Sequence, residues 1–236
     1  MSPKLIFEDL GKKDYKETWD YQEAIFNEII DYKISLKEGK SGSPPPNHLI
    51  FVEHPHVFTL GKSGSENNLL LNHIQLQAEE ASFYHTNRGG DITYHGPGQI
   101  VGYPILNLEE SGLNLKSYIH KLEESVIKTI SFYGIKGERL KGATGVWLDA
   151  DVPGKARKIC AIGVRASRYV TMHGFALNIN TDLKYFSYIN PCGFIDKKVT
   201  SVEAELERKI NFEEAKRVMK KSFEDIFSFQ TIVKTS

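Results

Sequence analysis

The chain carries two thiols, Cys160 and Cys192, and either could attack an activated carbonyl if a neighbour held it as thiolate. Free cysteine has a pKa near 8.5, so only a few per cent is ionised at pH 7 without help. Cys160 lies in Lys158-Ile159-Cys160-Ala161-Ile162-Gly163-Val164, an apolar run with strand character, and reads as a small buried hydrophobe. Cys192 sits in Ile189-Asn190-Pro191-Cys192-Gly193-Phe194, where proline and glycine set a turn that can present a side chain to a ligand. Either a histidine or a lysine ammonium could lower its pKa. Eight histidines are candidates, and His54 and His56 flank Pro55 like a metal pair. No Cys, Asp or third His completes a zinc spacing around them, so no metal is expected.

The second unusual feature is Arg88-Gly89-Gly90-Asp91-Ile92-Thr93-Tyr94-His95-Gly96-Pro97-Gly98-Gln99. Four glycines and a proline in twelve residues suit a tight hairpin, or a backbone that closes on something bulky. Pattern alone leaves both open. The segment is neither a phosphate loop nor a dinucleotide fingerprint, so no ATP, NAD or other cofactor is expected.

Three amphipathic helices and six short strands are available to position these residues. Helices are expected from Asp14 to Ile30, from Leu115 to Phe132, and from Asn211 over 211–229, the last with Glu214 in capping-box position. Strand patterns run over Leu49–Val52, Val57–Leu60, Ile100–Leu106, Gly145–Leu148, Ile159–Val164 and Gly174–Ile179. Ser41 to Asn47, with three consecutive prolines, reads as a surface loop. The mixture predicts one α/β or α+β domain, a mixed sheet with helices packed on it. Its 236 residues are 40% apolar, and 30 basic residues balance 30 acidic ones. That neutrality disfavours sequence-blind nucleic-acid binding. No apolar run is long enough to span a bilayer, and Glu8-Asp9 arrives too early for a secretory signal core. With two cysteines and no disulfide framework, a cytoplasmic location is expected.

The Arg88–Gln99 segment, Lys158–Gly163, His173-Gly174-Phe175-Ala176-Leu177-Asn178 and Asn190-Pro191-Cys192-Gly193 together resemble the lipoyl(octanoyl) transferase family. Glu53–Gly61 and Thr144-Gly145-Val146-Trp147 also look like that family's blocks, and all run in its order from about Glu53 to Ser201. The resemblance implies the fold of the biotin and lipoate protein ligase catalytic domain. It implies passage of an octanoyl group from acyl carrier protein to an enzyme cysteine, then to a lysine of a lipoyl-accepting domain. Such acceptors belong to 2-oxo-acid dehydrogenase complexes and the glycine cleavage H protein. The family's nucleophile falls on Cys192 and its pKa-tuning lysine on Lys158. Its substrate-binding segments fall on Arg88, Gly89, Gly90, Asp91, Ile92, Thr93, Tyr94 and His95, on Ala161, Ile162 and Gly163, and on Gly174, Phe175 and Ala176. On that reading Gly163 and Gly174 give room to an acyl tail, and His95 either relays a proton or orders its loop. Ala161-Ile162-Gly163 departs from the family where serine is frequent, which removes a hydroxyl. An ATP-dependent lipoate or biotin ligase on the same fold, and a non-catalytic carrier-binding relative, are the competing functions. The retained Lys158 and Cys192 favour the transferase.

Overall fold

Helix and strand patterning builds the molecule around one sheet; the computed structural model describes residues 4–190 and 197–234. Strand β1 (Lys4–Lys12) leads into helix α1 (Tyr15–Lys37), whose first turn is capped by the Asp14 carboxylate accepting from the Lys16 and Glu17 N–H groups. The helix runs past the expected Ile30 to Lys37, and the proline-rich loop separates it from β2 (Asn47–Glu53). Next come β3 (Val57–Leu60), α2 (His73–Ala78), β4 (Ser82–His85), β5 (Ile92–His95) and β6 (Gln99–Ile105). Helix α3 (Leu115–Ser131) is followed by β7 (Glu138–Leu140), β8 (Ala143–Leu148), β9 (Arg157–Ser167) and β10 (Val170–Asn178). The chain continues through β11 (Lys198–Val199), α4 (Val202–Leu206), α5 (Phe212–Phe227) and β12 (Gln230–Val233).

The main sheet runs β12-β1-β2-β6-β10-β9-β8-β7, with β11 beside β9. It is mixed: β12, β1 and β2 are parallel neighbours, and the path from β2 to β7 is antiparallel. One face packs Ile100, Cys160, Phe175 and Leu177 against α3 and α5; the other sets Val101, Tyr103 and Ala176 against α1. A second sheet, β4-β3-β5, carries the glycine-rich segment. The expected single α/β domain, a mixed sheet with helices packed on it, is what forms.

Three local differences have physical causes. The last helix stops at Phe227, short of 229, because Ser228 takes a left-handed φ of 59° and turns the chain into the edge strand β12. Asn211 caps that helix by accepting from the Glu214 N–H, while the reciprocal capping boxes form at Asn72–Gln75 and Asn114–Ser117. The glycine-rich segment is also more than a turn, since Ile92–His95 pairs antiparallel with Val57–Leu60.

Candidate active site

The geometry of the site begins with an irregularity in β9. Val146 pairs with Cys160 and Trp147 with Lys158, so one step on β8 spans two on β9. Ile159 is the extra residue of a β-bulge. Strict alternation would put Lys158 on the face of Cys160 and opposite Ala161. The bulge resets that parity: Ile159 and Cys160 both enter the α3/α5 core, while Lys158 and Ala161 line one cavity. Gly145 permits the distortion, because at its φ of 123° a Cβ would sit 2.5 Å from the Cys160 carbonyl oxygen.

The cavity, about 610 Å³, lies between the main sheet and the glycine-rich segment. Lys158 enters it with Nζ 4.6 Å from the centre of the Trp147 ring, a cation–π approach. Trp147 is itself fixed, its Nε1 donating to the Ala143 carbonyl at 2.9 Å. Burial pulls the Lys158 ammonium down from its ordinary value to about 8. Cys160 is fully buried, and burial drives its thiol well above the usual range, so it behaves as the expected core hydrophobe. Cys192 lies outside the described residues. Asn190 and Lys197, the described residues on either side of its segment, both line the cavity.

Most of the expected substrate-binding positions gather here. Arg88, Gly90, Asp91, Ile92, Thr93 and His95 line the cavity, as do Ala161, Ile162, Gly163, Gly174, Phe175 and Ala176. Gly89 and Tyr94 stand behind it. The Gly89 N–H donates to the Val164 carbonyl at 2.9 Å, laying the glycine-rich backbone on β9. Tyr94 turns into an aromatic cluster, stacked on Tyr185 and hydrogen-bonded through its hydroxyl to His56 Nδ1 at 2.7 Å. The glycines clear space chiefly for protein. A Cβ at Gly163 would sit 2.9 Å from the Gly89 oxygen and 3.1 Å from Arg88 Cδ, and one at Gly174 would strike the Gly102 carbonyl.

Buried Arg88 crosses to β3, where Nη2 donates to the Thr59 carbonyl at 2.5 Å and to Thr59 Oγ1 at 2.9 Å. Asp91 ties the loop internally, accepting from Asn68 Nδ2 at 2.9 Å and from the Ile92 N–H at 2.6 Å. Gln99 Nε2 donates to the Tyr94 carbonyl and Asn178 Oδ1, leaving Oε1 to accept from His95 Nδ1 at 2.9 Å. Burial, reinforced by His54, lowers the His95 pKa to about 3. His95 is therefore held as a neutral ring, tied to Gln99 within the loop. His54, which flanks Pro55 with His56, spends both ring nitrogens on the Lys13 carbonyl and the Tyr103 hydroxyl, each at 2.8 Å.

Sequence reasoning assigned no role to Tyr15, Val101, Tyr103, Trp147 or His173, yet all five line the cavity. A period of two along β6 would have put Gln99, Val101 and Tyr103 on one face. Nothing local marks Tyr15, which arrives from the first turn of α1.

These features match a known lineage. Residues 14–224 match the lipoyl protein ligase A/B catalytic domain family. An octanoyltransferase from Christiangramia forsetii is 56% identical over 228 residues, 96% of this chain and 97% of that protein. One from Parabacteroides distasonis is also 56% identical, over 94% of this chain and 98% of its own length. A bi-partite lipoate protein ligase from Thermoplasma acidophilum shares the fold, with TM-score 0.66 over 100% of this chain and 88% of that one, at 13% identity. With the family match covering most of the sequence and the relatives more than half identical nearly end to end, the chain belongs to the lipoyl protein ligase A/B catalytic domain family, among its octanoyltransferases.

Proposed function

We propose that the protein transfers an octanoyl group from acyl carrier protein to a lysine of lipoyl-accepting domains through a thioester on Cys192. The observation that carries this is Lys158, a half-desolvated ammonium in a cavity that the flanks of the Cys192 segment also line. In the first step the Cys192 thiolate attacks the donor thioester carbonyl, and the carrier's phosphopantetheine leaves as thiolate and takes up a proton. The ammonium favours the attacking anion electrostatically. In the second step the acceptor amine attacks the acyl-cysteine, its proton passes to neutral Lys158, and Cys192 leaves as thiolate. A pKa of about 8 suits both duties, because charged and neutral lysine are each accessible near neutral pH. Thioester exchange keeps the acyl group activated for the final amide. The two titrations are coupled, so neither group owns a single pKa.

The acceptors on this reading are the lipoyl domains of 2-oxo-acid dehydrogenase complexes and the glycine cleavage H protein, and the setting is the cytoplasm. Among the described residues no helix is long and apolar enough to cross a membrane. Arg88, Gly90 to Thr93 and His95, with Ala161 to Gly163 and Gly174 to Ala176, contribute the walls that hold the acyl chain, and Gly89 and Tyr94 support them from behind. The test is intact-mass spectrometry after mixing enzyme with octanoyl-acyl carrier protein in the absence of ATP. An octanoyl increment that disappears in Cys192→Ala supports the transferase. Acylation that appears only with ATP and free acid would favour a ligase instead.

A further inference from the structure

A carboxylate is buried beneath the site, and the transfer chemistry makes no use of it. Glu123 is 8% exposed, on the helix α3 that also buries Leu122, Val126 and Ile130. A charge in such a place is costly unless its oxygens are taken up. Both are. Oε1 accepts from the Gly145 N–H at 3.1 Å, and Oε2 accepts from Arg139 Nε at 3.0 Å. Arg139 is steadied in turn by Glu124 Oε2 at 2.6 Å and the His120 carbonyl at 3.2 Å.

The two partners of Glu123 mark the irregular part of the sheet. Leu140 pairs with Ala143 and Glu138 with Trp147, so two steps on β7 face four on β8. Arg139 is the β7 residue inside that mismatch, and Gly145 is the middle of the β8 stretch opposite it. On the other side of β8 the step from Val146 to Trp147 faces the extra residue of β9. The strand is thus out of register with both neighbours around one glycine, where a regular ladder gives least support. A side chain from the helix layer supplies the support instead, joining the Gly145 backbone and Arg139 to α3. The reacting groups depend on this stretch. Trp147, two residues on, sets its ring against the Lys158 ammonium, and the bulge opposite turns Lys158 into the cavity.

We infer that Glu123 is a positioning residue for acyl transfer, fixing through the Gly145 N–H the β8 geometry that holds Lys158 in the cavity against Trp147. Its hold is mechanical. Burial dominates the state of the Lys158 ammonium, and Cys160, Arg88 and Lys197 are the ionisable neighbours that act on it. Glu123 reaches it through the backbone. Without that anchor, regular alternation would turn Lys158 toward the core, where a charge cannot stay. The strand loosens instead, and the ammonium gains water. The role in transfer rests on the octanoyl-transfer reading above; the positioning of the lysine does not.

The test is an NMR titration of Lys158 in the intact protein carrying lysine labelled with carbon-13 at Cε, the signal assigned by its loss in Lys158→Met. The wild-type lysine should titrate at about 8. Glu123→Met, similar in size but without either acceptor, should raise that midpoint by at least about one unit toward the ordinary lysine value. Glu123→Gln keeps an oxygen for the Gly145 N–H and should stay within about 0.3 units. Glu123→Asp keeps the charge but is a methylene short. It should raise the midpoint by at least about half a unit, and it decides the matter if Glu123→Met does not fold. In the transfer assay Glu123→Met should lower kcat about tenfold at pH 7, with KM for the donor within about twofold of wild type. An unmoved midpoint in folded Glu123→Met, or failing that in Glu123→Asp, overturns the positioning role, as does an equal shift in the Gln and Met variants. No octanoyl loading by the wild type refutes the transfer reading, while the titration, which needs no substrate, still decides the positioning.

Discussion

Replacing Lys158 with methionine should make the protein inactive and more stable. The buried ammonium has its pKa pulled from 10.5 to about 8 by desolvation. That is a difference of about 2.5 units, or about 3 kcal/mol at about 1.36 kcal/mol per unit. Below pH 8 the lysine is protonated in both folded and unfolded chains, and the folded state bears the whole burden. Between pH 8 and 10.5 the unfolded chain holds more protons than the folded one, so wild-type stability climbs with pH. Above 10.5 both forms are neutral and the burden is gone. Urea unfolding should therefore place Lys158→Met about 3 kcal/mol above wild type at pH 7, with an unchanged m-value. The gap should shrink steadily between pH 8 and 10. A variant no more stable at pH 7, or a gap indifferent to pH, would refute the claim that the site holds a strained cation. A loss of transfer alongside the gain in stability is the trade expected of a catalytic group.

Three further outcomes follow from particular contacts. Cys192→Ala should show no acyl-enzyme by mass, whereas Cys160→Ala should load within about twofold of wild type while losing about 1 kcal/mol in urea unfolding. Trp147→Leu removes the ring under the ammonium, worth about 1 kcal/mol. The rising limb of the pH profile of transfer to the acceptor lysine should then move down by about 0.7 units, and an unmoved limb would show that the ring only fills space. Gly163→Ala pushes a methyl into the Gly89 carbonyl and Arg88, and should cost about 1 to 3 kcal/mol of stability together with most of the activity.

Much of this was legible in the chain. Helix α3 coincides with its periodic stripe to within a residue, and the glycine-rich segment does reach the cavity. The two thiols could be told apart by context, at least for Cys160, whose apolar neighbours do lead into the core. Three things were not legible. A β-bulge is a property of two strands, so Ile159 looks like any other residue of its run until β8 is beside it. The glycines were read for a ligand, but the nearest atoms to their missing methyls are backbone carbonyls brought in by β6 and the Gly89 turn. Tyr15 meets the site only through tertiary packing, and no pattern within its own segment marks it; His173 opened a recognised block, but nothing there said that it would line the cavity.

The extra residue in β9 has a consequence for fidelity. An enzyme that carries its cargo on sulfur is exposed to leakage, because any second thiol near the loaded one is a competing acceptor and a partner for oxidation. Here the other thiol in the sequence, Cys160, is two positions from Lys158. By counting two residues against one, the strand points that sulfur through the sheet into dry hydrocarbon, where it stays protonated and out of reach. On the proposed thioester mechanism the cargo is thereby left a single route onward.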